Sequence, residues 1–200
     1  FLSPHKKRFR FIIPEWRGFG AFNYCKIPAN LDAINCHWQD VRSVVDQLKF
    51  DRVIVIAYSM GAATLMHGLH SDHFSKRITA YLHIDQTPKI PVDDTWAFGL
   101  FGPKHDEFRE ILQQLSVLLA AHPQIQFIRD LDQTVRQQIG ALWLRFIQLQ
   151  NSHPYSLKAF EFLLHQPRFQ SLLLPSSRVD YMAWYINNYL YHREDYREAL

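Results

Sequence analysis

Ser59 is the residue of this 200-residue chain best placed to do chemistry, because of what stands on either side of it. In Ile54-Val55-Ile56-Ala57-Tyr58-Ser59-Met60-Gly61-Ala62 a β-branched run leads into small-x-Ser-x-Gly, and an Ala-rich helical segment follows. A serine on a strand-to-helix turn can serve as a nucleophile. The strand end holds it, the turn forces a strained backbone, and small residues two before and two after let neighbouring backbones approach. The new helix offers unpaired N–H groups and the positive end of its dipole beside the serine oxygen. Ala57 fills the first small position, where glycine is commoner, and Gly61 fills the second. The same letters also describe a tight turn with Ser59 as a helix N-cap.

Asp85 is the second candidate. It follows a segment in which Ile78, Ala80, Leu82 and Ile84 alternate with Thr79, Tyr81 and His83, and it opens Asp85-Gln86-Thr87-Pro88. Ligands bind at the carboxyl ends of parallel strands, which suits a functional carboxylate. Asp-x-x-Pro is also good turn chemistry, so Asp85 equally suits a structural role. Glu15 reads as a loop-fixing group. The eleven histidines are scattered. His67/His70 and His70/His73 have helical i,i+3 spacing, but no carboxylate or cysteine arrangement completes a zinc site, and no metal or cofactor is expected. His67, His70, His153, His165 and His192 read as surface or satisfied core imidazoles.

The elements that must position Ser59 follow from periodicity. Residues 9–13 form an apolar run closed by Pro14 and read as a short strand; Gly18 and Gly20 permit positive φ in the turn that follows. Ile34, Val41, Val44, Val45 and Leu48 keep a 3.6 period, predicting a helix over 32–48. Strands are expected at 53–57 and 77–84, with a helix from Met60 to about Leu69 between them. This order is that of a parallel α/β sheet. From about Asp93 only helical periods remain, at 104–121, 130–150, 155–165 and 178–192, broken by His122-Pro123, His153-Pro154, Gln166-Pro167 and Pro175-Ser176-Ser177. Trp143, Phe146, Phe160, Phe162, Phe169, Tyr181, Trp184, Tyr185 and Tyr189 make this half aromatic-rich, as a helical lid over an apolar pocket would be. Aromatics at helical spacing also serve as plain core.

Composition bounds the rest. A hydrophobic content of 48% over 200 residues suffices for a real core. A net charge of +3 argues against a nucleic-acid partner, and Lys6-Lys7-Arg8 with Arg10 reads as a solvated strand entrance. No apolar run reaches the ~18 residues of a membrane span. Cys25 and Cys36 have neither a disulfide framework nor metal spacing, which makes a reducing, cytoplasm-like location the expectation. The chain starts at Phe1 close to a strand and ends within a charged helical pattern, as a fragment would.

Taken in order, these segments resemble the α/β-hydrolase superfamily. Phe11-Ile12-Ile13-Pro14-Glu15-Trp16-Arg17-Gly18-Phe19-Gly20 looks like its strand-four signature, with Glu15 where Asp is usual. Residues 37–52 look like the helix and turn before the nucleophile strand, Ala57-Tyr58-Ser59-Met60-Gly61-Ala62 like the nucleophile elbow, and His83-Ile84-Asp85-Gln86-Thr87-Pro88-Lys89 like the end of strand six. Motif support covers roughly 8–92. The resemblance implies an α/β fold: strands four to six of the hydrolase sheet in a partial core over 1–92, then an all-helical lid over 93–200. It implies Ser59 as nucleophile and the backbone N–H of Met60 as one oxyanion donor. It further implies an acid either at Asp85 or downstream, and a histidine and a second oxyanion donor outside these residues. Strand three would lie between strands four and five, so 9–13 and 53–57 would lack their common neighbour. The stretch alone is therefore expected to be marginally stable and inactive.

The implied activity is hydrolysis of an ester or related acyl bond in a small, largely apolar molecule. Serine argues against a dehalogenase. Pro14-Glu15-Trp16-Arg17-Gly18 is close to a stretch often found in the cofactor-independent dioxygenases of the superfamily, which makes oxygen-dependent ring cleavage an alternative. A binding protein that has lost its triad is a third reading. Oligomeric state is not legible.

Overall fold

The computed structural model describes residues 3–5, 7–28, 30–72, 74–150, 154–164, 166 and 178–200. Lys6, His73, His153, His165, Phe169 and the 175–177 break lie outside the described residues.

Helix α1 spans Ala33–Gln47 and begins with a conventional cap. Asp32 has extended backbone (φ −71°, ψ 169°), and its side chain accepts a hydrogen bond from the Asn35 N–H at 2.9 Å. Strand β1 (Val53–Tyr58), helix α2 (Met60–Asp72) and strand β2 (Ile78–Ile84) follow, with β1 and β2 parallel. The sequence places each of these within a few residues.

Helices α1 and α2 cover one face of the β1–β2 pair. Trp38, Ala57, Ala62, Leu65 and Phe74 form the buried core there, with Val53, Val55, Ile78 and Tyr81 packed against it. A Cβ added at Gly68 would stand 2.5 Å from the Trp38 ring, so glycine lets α2 approach α1 this closely. The Trp38 indole N–H donates to Asp72 at 2.5 Å across the same contact.

The opposite face is uncovered among the described residues: Ile54, Ile56 and Tyr58 of β1 and Leu82 and Ile84 of β2 are all exposed. Residues 9–13, read from sequence as a strand, form none, and Ile13 is 77% exposed. An extended segment satisfies its backbone only against a neighbouring chain. Among the described residues no backbone hydrogen bond joins 10–13 to another segment.

The helical region comprises α3 (His105–Ala120), α4 (Gln133–Leu149), α5 (Pro154–Leu164) and α6 (Val179–Tyr191). Phe108, Ile111, Leu112, Leu115 and Leu119 of α3 recur at three- and four-residue steps and pack on Ile139 and Leu149 of α4. Val179, Met182, Ile186 and Leu190 of α6 complete this core. The other side of α6 ties it to the first half of the chain. The Tyr181 hydroxyl donates to the Cys25 carbonyl at 2.8 Å, the Trp184 indole to the Leu31 carbonyl at 3.0 Å, and Asn188 Oδ1 accepts from the Ile34 N–H at 3.3 Å. Among the described residues no helix is long and apolar enough to cross a membrane.

Candidate active site

Ser59 lies between the last residue of β1 and the first of α2 with φ +51°, in the left-handed region. For a residue with a Cβ this conformation costs roughly 1–2 kcal/mol. It is held by hydrogen bonds on both sides: the Ser59 N–H donates to the Ile84 carbonyl of β2 at 2.9 Å, and the Ser59 carbonyl accepts from Ala62 N–H at 2.9 Å and Ala63 N–H at 3.2 Å. An N-cap residue has extended backbone, as Asp32 does, so the plain cap reading of Ser59 does not fit its geometry. The expectation for Gly61 is not met in full. A Cβ there would meet only the Trp16 ring, at an ordinary 3.8 Å, so no close backbone approach at Gly61 excludes alanine.

Asp85 repeats the conformation one strand over. Tyr58 and Ile84 are register partners, so Ser59 and Asp85 leave the sheet side by side, and Asp85 has φ +54°. The turn after it is fixed by other groups. Gln86 Oε1 accepts from the Thr87 N–H at 2.9 Å, and the Gln86 carbonyl accepts from His83 Nε2 at 2.7 Å. The other ring nitrogen, His83 Nδ1, is in hydrogen-bond contact with the Tyr81 hydroxyl at 2.6 Å. The sequence left Asp85 open as a site carboxylate or a turn-bonding group; in the turn the side-chain bond to the Thr87 N–H is that of Gln86.

Both residues open into one cavity of about 630 Å³. The sheet side supplies Tyr58, Ser59, Met60, Asp85 and Gln86, and Phe19 comes from the early loop. Opposite stand Leu100 and Phe101, Phe108 and Leu112 of α3, Trp143 and Phe146 of α4, Gln150, and Met182, Tyr185, Ile186 and Tyr189 of α6. Phe101 also has left-handed backbone, at φ +69°. Lys49, in the turn after α1, completes the non-glycine positive-φ residues among those described. Strain therefore gathers at the cavity.

The Tyr185 wall is fixed from behind. Its hydroxyl donates its one proton to the Arg17 carbonyl at 2.9 Å, so the 2.7 Å contact with His37 Nε2 is a bond donated by the histidine. His37 is fully buried, its ring 4.4 Å from that of Trp16, and its Nδ1 has no partner among the described residues. Burial lowers its pKa from 6.5 to about 4, outweighing the opposing pull of Asp40. The Arg17 side chain grips Asp40 of α1 through two bonds of 2.6 Å, and Tyr185 is pushed well above the usual tyrosine range by burial. The early loop is further held by Glu15, which accepts from the Ala21 N–H at 3.2 Å, and by Gly18 and Gly20 at φ +85° and +47°. A Cβ at Gly18 would enter the Tyr181 ring. Glu15 is thus the loop-fixing group that the sequence suggested.

The profile of the alpha/beta hydrolase family matches residues 1–197. The chain belongs to this family. Comparison with curated proteins found no match, and comparison with solved structures found none either. In this alpha/beta hydrolase no described histidine is itself among the cavity-lining residues, although His37, His83 and His105 bond lining residues from behind. His67 Nδ1 and His192 Nε2 both contact the Tyr196 hydroxyl, at 3.2 and 3.0 Å, and His105 Nδ1 bonds the Leu100 carbonyl at 2.9 Å. Among the described residues no group of three His, Cys, Asp or Glu could hold a metal.

Of the aromatic residues singled out in the helical half, Trp143, Phe146, Tyr185 and Tyr189 line the cavity. Tyr181 and Trp184 instead bond the early loop, and Phe162 is 66% exposed. Sequence reasoning missed Phe19, Phe101 and Phe108 as lining residues, and His37 as a buried anchor. Phe108 and His37 share the apolar stripes of their helices, which signals burial but not what they face. Phe101 and Phe19 sit in loops, where periodicity says nothing.

Proposed function

We propose that this alpha/beta hydrolase cleaves an ester or related acyl bond of a small, largely apolar molecule, with Ser59 as nucleophile. The observation that carries the reading is Ser59 in left-handed backbone at a strand end, opening into a 630 Å³ cavity of largely apolar lining. Ser59 Oγ bonds to the acyl carbon, its proton passes to a base, and the alcohol departs with a proton as the C–O bond breaks. Water then cleaves the acyl–serine ester, restoring the hydroxyl and releasing the acid. The Met60 N–H, first in α2, has no partner within the helix and in this reading receives the negative charge that develops. Asp85, beside Ser59 on the cavity wall, is the acid of the proton relay in this reading. The helices over residues 93–200 act as the lid that supplies the apolar wall.

The test is turnover of short and medium p-nitrophenyl esters by the full-length protein and by its Ser59→Ala variant. The reading requires a fall of at least about 10³-fold. Equal turnover by both would mean that Ser59 is not the nucleophile.

A further inference from the structure

We propose that the cavity selects an uncharged ester carrying a flat aromatic ring, and that Phe101 and Phe146 are the residues that select the ring. This rests on the hydrolytic reading of Ser59. Four observations lead to it.

The far wall is a set of rings fixed against one another. Trp143 and Phe146 stack with centroids 4.6 Å apart and planes 11° from parallel. Phe101 lies 4.7 Å from Phe108 at 31° and crosses Phe146 edge-on at 5.5 Å and 71°. Rings locked in this way present flat, rigid surfaces, and they cannot remodel around a flexible alkyl chain as leucine or methionine would. A planar guest extends the stacked layer, whereas a puckered ring of equal carbon count meets it at fewer points.

Phe101 is held at φ +69°, a conformation rare for a bulky residue, beside Gly102 at +51°. Bonds from Leu100 N–H to the Ile90 carbonyl at 2.9 Å and from Gly102 N–H to the Gly99 carbonyl at 2.8 Å keep it there. Strain retained in a cavity-lining residue marks a position where the ring's placement matters.

The charge pattern narrows the guest further. Among the described lining residues Asp85 is the one ionisable carboxylate, and none is lysine or arginine. A substrate bearing a second carboxylate or a phosphate would meet like charge with no cation to offset it. Finally, 630 Å³ falls within the range of small-molecule sites and leaves room for a ring, its ester and a short spacer.

The test uses methyl 3-phenylpropanoate and methyl 3-cyclohexylpropanoate, whose scissile bonds and leaving groups are identical. The aryl ester is expected to show kcat/KM about tenfold higher, from roughly two- to tenfold per aromatic contact. Phe146→Leu and Phe101→Leu, measured separately in case one misfolds, should each cut that aryl-over-cyclohexyl preference to about twofold. A 4-carboxyphenyl analogue should be the poorest substrate. In parallel, 3-phenylpropanol should quench tryptophan fluorescence of the Ser59→Ala variant at concentrations where 3-cyclohexylpropanol does not. Hydrolysis of both esters at equal kcat/KM, or a preference unchanged in both leucine variants, overturns the ring slot and leaves the serine reading standing. Selective binding of the aryl alcohol without hydrolysis of either ester overturns the serine reading and keeps the slot.

Discussion

Helices α1 and α2 lie against each other and begin by opposite rules. Asp32 enters α1 in extended backbone and spends its carboxylate on the Asn35 N–H, so its polar group serves the helix. Ser59 enters α2 in left-handed backbone and faces a cavity, so its polar group is kept from that use. The same division continues inside. α1 sends His37 and Trp38 into the core, whereas the start of α2 presents Ser59 and Met60 to the cavity. The two helix starts differ in backbone φ, −71° at Asp32 and +51° at Ser59.

The largest expected effect breaks the comparison on the α2 side. Ser59→Ala should lower ester turnover at least about 10³-fold while its thermal midpoint stays within about 2 °C; an equal loss of stability would make Ser59 structural, like Asp32. The next effect tests α1 through pH. Burial holds the folded pKa of His37 at about 4, against 6.5 when exposed, so between these values the unfolded chain takes up a proton that the folded chain refuses. Stability from this group is complete above pH 6.5 and is lost as pH falls towards 4, by about 3 kcal/mol. Burial lowers His67 and His192 in the same direction. Urea melts at pH 7 and pH 4.5 should show the loss, and His37→Gln should shrink it.

Asp32→Ala should cost about 1 kcal/mol by urea titration and leave ester turnover unchanged. A fall in turnover would show that the start of α1 is coupled to the cavity. The smallest effect sharpens the contrast. Ser59→Gly should gain up to about 1 kcal/mol, because glycine occupies φ +51° without strain, whereas Asp32→Gly should gain nothing. A Ser59→Gly variant no more stable than wild type would place the strain elsewhere.

Much of this was legible in the residues themselves. The 3.6 period of Ile34, Val41 and Val45, the β-branched run before Ser59 and the proline breaks of the helical half reflect local preferences and solvent partitioning, which act on short stretches wherever they lie. The small-x-Ser-x-Gly letters likewise carry the elbow, because its turn is made by neighbouring residues. Residues 9–13 show where that logic ends: they have strand composition, but a strand exists only beside a partner, and composition does not supply one. Asp85 shows the same limit. Its position at a strand end was readable, but that Gln86 would accept from the Thr87 N–H in the turn was not. The cavity itself belongs wholly to tertiary structure. Phe19, Phe101, Phe108, Trp143 and Tyr185 lie far apart in the chain, and only the placement of α3, α4 and α6 around one cavity with the ends of β1 and β2 brings them to one serine.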